Sequence, residues 1–217
     1  MKILLGNQII EINKFQFENI VKQFKSVVVD IGTGDGQFIY RKAKQNPDVL
    51  YIGIDASIDS MLKCSIKISK KPSKGGLKNV LLVVGTVEDL PNEMTSIADK
   101  ITINLPWGSL RDGIVKGDEV VLKNIKKISK ANTAISICVT YSDKYEKEEI
   151  NIRKLPPLSL SFIKTQLKAK YSFYGIKIDN VYLWNNDMLK TLDTKWAKKL
   201  AYGKKREIYY MKCSIMN

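Results

Sequence analysis

A glycine-rich loop follows the first apolar run of the chain. The run VVVDI leads into the sequence D-I-G-T-G-D-G, which extends from Asp30 to Gly36 and includes Gly32 and Gly34. Glycines at a strand-to-helix turn allow positive φ and let backbone N–H groups approach a ligand at the helix N-terminus. Asp55 ends the next apolar run, where its carboxylate can accept hydrogen bonds from both hydroxyls of a ribose. These residues predict a site for a ligand that contains a ribose.

The spacing of the loop separates it from two common nucleotide motifs. It reads G-x-G-x-G, whereas the dinucleotide fingerprint is G-x-G-x-x-G. The loop also has no lysine of the kind that binds phosphate in a P-loop. A dinucleotide or nucleoside triphosphate is therefore not indicated.

A second feature with possible chemistry is the segment N-L-P-W-G-S-L, which begins at Asn104 and follows the strand-like run KITIN. Its local sequence favours a strand that ends at Pro106 with Trp107 packed beneath it. An exposed tryptophan at a strand end would instead offer a stacking surface to a ligand. The local sequence alone leaves both interpretations open.

Composition limits the available chemistry. The chain has no histidine, which excludes Ser-His-Asp and Cys-His nucleophiles and histidine metal sites. Cys64, Cys138 and Cys213 are far apart, so neither a disulfide framework nor a metal site is expected. The 36 Lys and Arg residues outnumber 22 Asp and Glu residues and give a net charge of +14. Such a charge favours a polyanionic partner, with nucleic acid first.

The apolar runs indicate the fold that positions these motifs. Strand-like runs at 27–31, 50–55, 79–85, 100–106 and 133–141 alternate with helical patterns at 37–46, 57–71 and 119–130. This alternation predicts an α/β fold with a mostly parallel, seven-stranded sheet and helices on both faces. Residues 1–12 suit an N-terminal β-hairpin, and 142–157 suit a loop. A helix near 158–172, the strand IKIDNVYLW, a basic helical segment at 187–203 and the strand REIYYMKCS follow.

We expect a single domain over 1–217, with 142–157 and 185–205 as substrate-binding extensions between strands. No apolar run reaches the roughly 18 residues that a membrane helix needs, so no membrane partner is expected. The first residues break at Gly6 and resemble a hairpin more than a signal peptide, which favours the cytoplasm. A monomer is expected.

The glycine loop and Asp55 together resemble the S-adenosylmethionine (SAM) site of class I methyltransferases. The resemblance implies that Asp30 and the glycines face the amino-acid and sulfonium end of SAM and that Asp55 binds its ribose. The loop G-T-V-E-D-L-P would then border the adenine ring. The cofactor contacts implied are Asp30, Gly32, Gly34, Gly36, Asp55, Val87, Glu88, Asn104, Leu105 and Ser109.

Four further motifs make the resemblance more specific. They are N-L-P-W-G-S, K-K-P-S-K-G-G at 70–76, T-Y-S-D-K-Y-E at 140–146 and W-A-K-K-L-A-Y-G-K-K-R at 196–206. In their order along the chain, these motifs resemble those of the aminoglycoside-resistance methyltransferases of the NpmA/KamB type, and the resemblance extends along nearly the whole chain. The resemblance implies methylation of N1 of adenine 1408 in the decoding-site helix of 16S rRNA, in the assembled 30S subunit.

The resemblance also implies the roles of two tryptophans. Trp107 and Trp196 would stack on an adenine flipped from its helix, beside the rigid Pro106. Stacking contributes about 1 to 3 kcal/mol per base, and attraction of the rings for the cationic product about 1 to 2 kcal/mol. Because N1 of adenine carries a free lone pair, its attack on the SAM methyl needs alignment more than a general base.

Basic residues near these motifs are candidates for RNA contacts through phosphate and shape. They are Lys67, Lys70, Lys71, Arg153, Lys199, Lys204 and Arg206. The family tends to have arginine at some of the positions around the second tryptophan, where this chain has Lys199 and Lys204. Lysine keeps the charge but loses the bidentate fork of arginine.

Two other functions fit the sequence. A tRNA guanine-N(7)-methyltransferase would share a basic class I fold and a loop with Pro and Trp after the fourth strand. A basic RNA-binding protein could retain the SAM fold without catalysis. Transfer of methyl to tRNA would select the first alternative, and absence of SAM binding would select the second.

Overall fold

The computed structural model describes residues 1–216, and Asn217, the last residue of the expected domain, lies outside the described residues. The chain divides into two compact units. The first contains Met1–Thr102 and Lys127–Lys130, and the second contains Ile103–Lys126 and the chain from Ala131 onward. Within residues 1–216, no helix combines the length and the apolar character needed to cross a membrane.

Nine strands in the described residues form one mixed sheet in the order β2-β1-β5-β4-β3-β6-β7-β9-β8. Strands β3 to β5 pair in parallel, as do β3 and β6, whereas β9 pairs antiparallel with both β7 and β8. The strands are β1 (Lys2–Leu5), β2 (Gln8–Glu11), β3 (Ser26–Ile31), β4 (Val49–Asp55), β5 (Val80–Val84), β6 (Ala98–Asn104), β7 (Ser129–Val139), β8 (Ile176–Trp184) and β9 (Ile208–Ile215).

The predicted α/β fold is confirmed, but the predicted strand number is wrong. The N-terminal hairpin exists as β1 and β2. It is also part of the sheet, because β1 pairs antiparallel with β5 through Ile3 and Val83. Ile3 and Leu4 are 4% and 2% exposed, whereas Leu5 at the end of the strand is exposed, so β1 buries two of its three apolar side chains. The sheet therefore has nine strands. The prediction was a sheet of seven strands with the hairpin outside it.

The helices match most of the predicted ones. They are α1 (Lys14–Val21), α2 (Gln37–Gln45), α3 (Ile58–Ile68), α4 (Gly108–Lys116), α5 (Glu119–Ile128), α6 (Asp143–Arg153), α7 (Leu160–Phe162), α8 (Lys168–Phe173) and α9 (Lys195–Ala201), with a π-helical segment at Ile163–Leu167. The sequence patterns did not predict the short helices α1 and α4. Short 3₁₀ segments occur at Pro72–Lys74, Val87–Asp89, Asn92–Met94 and Met188–Thr191.

The prediction of a loop at 142–157 is wrong, because α6 occupies most of this stretch. Ile150 is its one buried residue, so the apolar periodicity that reveals most helices is missing. Polar contacts support the helix instead. The Glu146 carboxylate accepts a hydrogen bond from the backbone N–H of Ser142 at 2.8 Å. Glu146 itself has non-helical backbone angles and marks a kink.

Each unit has its own apolar core. In the first unit, α2 and α3 pack on the sheet with a cluster that includes Leu4, Ile39, Met61, Cys64 and Leu82. In the second unit, a cluster that includes Leu105, Cys138, Leu189, Ala197, Leu200 and Ile208 joins the end of β6 to α9. Cys64, Cys138 and Cys213 are free and buried. Burial raises the pKa of Cys64 to about 11 and that of Cys138 to about 12, which keeps both thiols protonated at neutral pH.

Candidate functional site

The glycine loop forms a tight turn between β3 and α2. Gly32 and Thr33 donate backbone hydrogen bonds to the Ile54 carbonyl at 2.9 and 3.0 Å. Gly32, Gly34 and Gly36 have φ values of 73°, 57° and 67°, a region that favours glycine. A Cβ built on Gly34 would meet no atom within 4 Å, whereas one built on Gly36 would lie 2.9 Å from the Cys64 Sγ. The loop is therefore packed at Gly36 and open at Gly34, which leaves room for a ligand beside its backbone.

Asp55 is held against this loop by two backbone groups. Its carboxylate accepts hydrogen bonds from Gly34 N–H at 2.8 Å and from Ser57 N–H at 2.9 Å. The two donors bind different oxygens, and each oxygen retains a lone pair for another donor. The side chain is half-buried. A fixed carboxylate with free acceptor sites fits the diol of a ribose, and the contact of Asp55 with a ribose stays a prediction.

Other predicted cofactor residues of the first unit lie at the ends of strands. Asp30 is 2% exposed and accepts a hydrogen bond from the Thr102 hydroxyl at 2.6 Å. Val87 is buried and Glu88 half-buried, and both belong to the 3₁₀ segment after β5. Their contact with SAM stays a prediction, as does that of Asn104, Leu105 and Ser109, which belong to the second unit.

The segment after β6 exposes its tryptophan. Leu105 has a positive φ of 53° and donates its backbone N–H to the Cys138 carbonyl at 2.8 Å. Its side chain is 6% exposed, whereas Trp107 is 49% exposed. The chain turns sharply here, and α4 begins at Gly108. The interpretation of Trp107 as a buried residue under the strand is therefore wrong.

Trp107 and Trp196 meet in the second unit although they are far apart in sequence. Their ring centroids are 5.8 Å apart, and the rings make an angle of 72°. They line a pocket with Leu105, Pro106, Arg111, Thr140, Glu146, Leu200 and Arg206. The Thr194 hydroxyl caps α9 by accepting from Ala197 N–H at 2.9 Å, and Ala197, Leu200 and Ala201 anchor this helix in the core. This anchoring places the half-buried Trp196 beside Trp107.

Basic residues of the second unit approach the same pocket. Arg206 Nη1 lies 3.4 Å from Glu146 Oε1, and its buried Nε has no hydrogen-bond partner. Lys199 Nζ lies 5.1 Å from the centroid of the Trp196 ring, and Lys204 Nζ lies 4.8 Å from that of Tyr145. Both lysines therefore lie over aromatic rings. Such a cation–π contact requires a positive charge but not the bidentate hydrogen bonding of arginine.

Sequence reasoning missed the residues that hold Arg153. Its guanidinium pairs with Asp112 and Glu149, and the hydrogen bond from Arg153 lowers the pKa of Glu149. The same two carboxylates lie near Arg111, which is 1% exposed. Arg111, Ile114 and Val115 share the buried face of α4. The sequence signal that could have revealed Arg111 is its position in an apolar i, i+3, i+4 pattern with Ile114 and Val115.

Three predicted basic residues, Lys67, Lys70 and Lys71, belong to the first unit. Lys67 Nζ lies 3.9 Å from the centroid of the Tyr40 ring, and the Tyr40 hydroxyl donates to the Gly75 carbonyl at 3.0 Å. Lys70 and Lys71 follow α3 and are exposed. Tyr40 therefore connects Lys67 to the loop that contains the other two lysines.

The glycine turn, the carboxylate at the end of β4 and the strand order of the sheet define a class I SAM-dependent methyltransferase. Residues 2–215 match the family model of NpmA, described as 16S rRNA (adenine(1408)-N(1))-methyltransferase. The chain belongs to this family.

The similarity to known proteins extends along nearly the whole chain. A 16S rRNA (adenine(1408)-N(1))-methyltransferase of Escherichia coli is 41% identical over 210 residues, which cover 96% of both chains. The crystal structure of the 16S rRNA methyltransferase KamB is 26% identical, with a TM-score of 0.90 and full coverage of both chains. A mutant of the 16S rRNA (adenine(1408)-N(1))-methyltransferase from Catenulisporales acidiphilia, solved with the cosubstrate SAM, is 26% identical, with a TM-score of 0.89 and coverage of 100% and 97%.

Gly34 and Gly36 provide a matched test of the loop. Gly36→Ala adds a steric conflict with Cys64 to the backbone strain, whereas Gly34→Ala adds strain alone. We expect Gly34→Ala to lower the free energy of unfolding by about 1 to 2 kcal/mol and Gly36→Ala by about 2 to 4 kcal/mol. Urea denaturation measures both values. Equal losses in the two variants would contradict the packing described for Gly36.

Proposed function

We propose that this protein transfers the methyl group of SAM to N1 of adenine 1408 in 16S rRNA and thereby gives resistance to aminoglycosides. The observation that carries the proposal is the pairing of Trp107 with Trp196, at 5.8 Å between ring centroids. The family match over residues 2–215 favours this function over methylation of tRNA guanine.

The residues of the first unit fit SAM, which supplies an electrophilic methyl group on a sulfonium when bound. Asp55 would accept hydrogen bonds from the ribose hydroxyls, because backbone N–H groups already orient both of its oxygens. Gly32, Gly34 and Gly36 would let the loop backbone lie against the cofactor. Val87 and Glu88 would border its adenine ring, and Asp30 would stabilise its amino-acid end. Asn104, Leu105 and Ser109 are further proposed contacts.

Trp107 and Trp196 would hold the flipped adenine, with Pro106 keeping their loop rigid. A base between two stacked rings needs ring planes about 7 Å apart, twice the contact distance of roughly 3.5 Å. The two rings now lie edge to face at 72°, so at least one indole has to rotate when the base enters.

The reaction fits a chain without histidine. The lone pair of N1 would accept the methyl group from SAM, with the thioether of the demethylated cofactor as the leaving group, and the positive charge would then lie on the adenine. The indole rings attract this cation, which favours the product side of the transfer. A methylated, cationic adenine would lose a hydrogen-bond acceptor and repel a polycationic drug.

The basic residues are proposed to position the assembled 30S subunit. Lys67, Lys70 and Lys71 would bind phosphates from the first unit, and α6 with the segment 185–205 would do so from the second. Arg153, Lys199, Lys204 and Arg206 are the proposed contacts there. We also propose a single methyltransferase domain over the whole chain that acts as a monomer in the cytoplasm and without a metal.

The first prediction of the proposed function concerns Asp55. Asp55→Asn replaces one acceptor oxygen by an NH₂ group, which would oppose a backbone N–H and lose one ribose hydrogen bond. We expect the Kd for SAM to rise about 10-fold or more, since hydrogen bonds to charged groups contribute about 1.5 to 3 kcal/mol. Calorimetry measures the Kd. Asp59→Asn removes a nearby exposed carboxylate and serves as the control; a Kd unchanged in both variants would exclude Asp55 from the cofactor site.

The second prediction concerns the target. Purified 30S subunits treated with the protein and SAM should give a new primer-extension stop next to adenine 1408, because a methyl group on N1 blocks base pairing. Omission of SAM is the control. Free 16S rRNA and bulk tRNA, tested in parallel with labelled SAM, should accept less methyl than 30S subunits. Methyl transfer to tRNA without a stop on 30S subunits would overturn the proposed target.

The third prediction concerns Trp107. Trp107→Ala removes a stacking face, and we expect kcat/KM on 30S subunits to fall about 100-fold or more. The Kd for SAM should stay within a few-fold, because the proposed ribose contacts belong to other residues. Phe173→Ala removes an aromatic ring that is 83% exposed and is the control. Full activity of Trp107→Ala would refute the stacking role.

A further inference from the structure

Arg111 is the largest side chain that is almost fully buried, with 1% of its surface exposed. Arginine is seldom buried to this extent, because removal of its charge from water has a large free-energy cost unless it is paired. Arg111 lies on the buried face of α4 with Ile114 and Val115, a face that an apolar residue would fill. Its presence there calls for an explanation beyond packing.

The described contacts of the guanidinium are with two carboxylates and two aromatic rings. Nη2 donates to Glu149 Oε1 at 3.2 Å, and Nε lies 3.7 Å from Asp112 Oδ1. The Cζ atom lies over two aromatic rings, 5.0 Å from the centroid of Trp107 and 5.9 Å from that of Tyr141. Nε and Asp112 Oδ1 have no hydrogen-bond partner. The cation is therefore held by two carboxylates and faces Trp107.

Arg153 anchors the same carboxylates from α6. Its Nη1 pairs with Asp112 Oδ2 at 3.2 Å, and its Nε pairs with Glu149 Oε1. The Arg153 carbonyl also accepts a hydrogen bond from Lys116 Nζ at 2.7 Å, which connects α6 back to α4. Two helices therefore fix the position of the Arg111 guanidinium.

We propose that Arg111 is a positioning residue for Trp107, whose indole it holds by a cation–π contact from within the second unit. The inference rests on the proposed role of Trp107 in base stacking. Because Arg111 is buried, the part of the ring that it covers is closed to RNA. The base then has to stack on the exposed part of the ring, so Arg111 determines which side of Trp107 receives it.

Arg111→Met and Arg111→Lys separate this role from packing. Methionine keeps much of the volume and removes the charge, and Asp112 and Glu149 retain Arg153 as a partner. A merely structural residue would tolerate methionine, since apolar replacement of a buried charge is often neutral for stability. Lysine keeps a cation that can lie over the indole.

The first measurement is methylation of 30S subunits. We expect Arg111→Met to lower kcat about 10-fold or more, as the loss of a desolvated cation–π contact implies. The KM for 30S subunits and the Kd for SAM should stay within about 3-fold of the unmodified chain, and Arg111→Lys should recover part of kcat. The control Lys123→Met removes a cation from an exposed pair on α5 and should not change kcat. A wild-type kcat in Arg111→Met, or equal losses in both variants, would overturn the proposal.

The second measurement does not depend on RNA. In a background with Trp184→Phe and Trp196→Phe, Trp107 is the remaining tryptophan, and its fluorescence reports on its own surroundings. Arg111→Met should increase quenching by acrylamide, and Arg111→Lys should restore it. Unchanged quenching would overturn the proposal even if methylation is lost. A wild-type chain without activity on 30S subunits would instead refute the proposed function and leave this measurement valid.

Glu149→Gln is the second variant if Arg111→Met does not fold. It removes the carboxylate that orients the guanidinium and keeps the cation itself. We expect greater acrylamide quenching of Trp107 in the same background, because a neutral amide oxygen holds the cation less strongly than a carboxylate does. Quenching equal to that of the unmodified background would contradict the positioning role.

Discussion

The turn at Leu105 is the constraint on which the base-stacking pocket depends. A positive φ of 53° is costly for leucine, by about 1 to 2 kcal/mol. Burial of its side chain and its hydrogen bond to the Cys138 carbonyl stabilise this turn. Leu105 belongs to the apolar cluster that also contains Ala197 and Leu200 of α9. One core therefore fixes both the loop of Trp107 and the helix of Trp196, which explains why residues far apart in sequence meet.

Acidic residues arrange the positive charges of the second unit. Glu146 pairs with Arg206, and Glu149 and Asp112 are shared between Arg111 and Arg153. These carboxylates offset the repulsion between the guanidinium groups. The net charge of +14 attracts a polyanion at long range, whereas the local carboxylates decide where each cation lies. Binding and orientation therefore have different physical sources.

The sequence predicted those parts of the structure that depend on local spacing. The glycine loop and Asp55 were found because turn residues and strand ends follow short patterns. Helix α6 was missed because polar contacts replace an apolar stripe, and the role of Arg111 was missed because Glu149, one of its two carboxylate partners, comes from a different helix. The position of Trp196 required the family resemblance, since no local pattern reports which residues a core brings together. Edge pairing of β1 with β5 is likewise long-range, so the strand number was wrong.

The proposed chemistry explains why such constraints are placed around two tryptophans. Attack by the N1 lone pair needs no proton transfer, so the contribution of the protein is alignment of base and methyl group. Alignment requires rings that cannot drift, and a side chain that is 49% exposed, such as Trp107, has little packing to hold it. A strained turn on one side and a buried cation on the other supply that rigidity. The free-energy cost of both is consistent with a site where geometry replaces acid–base catalysis.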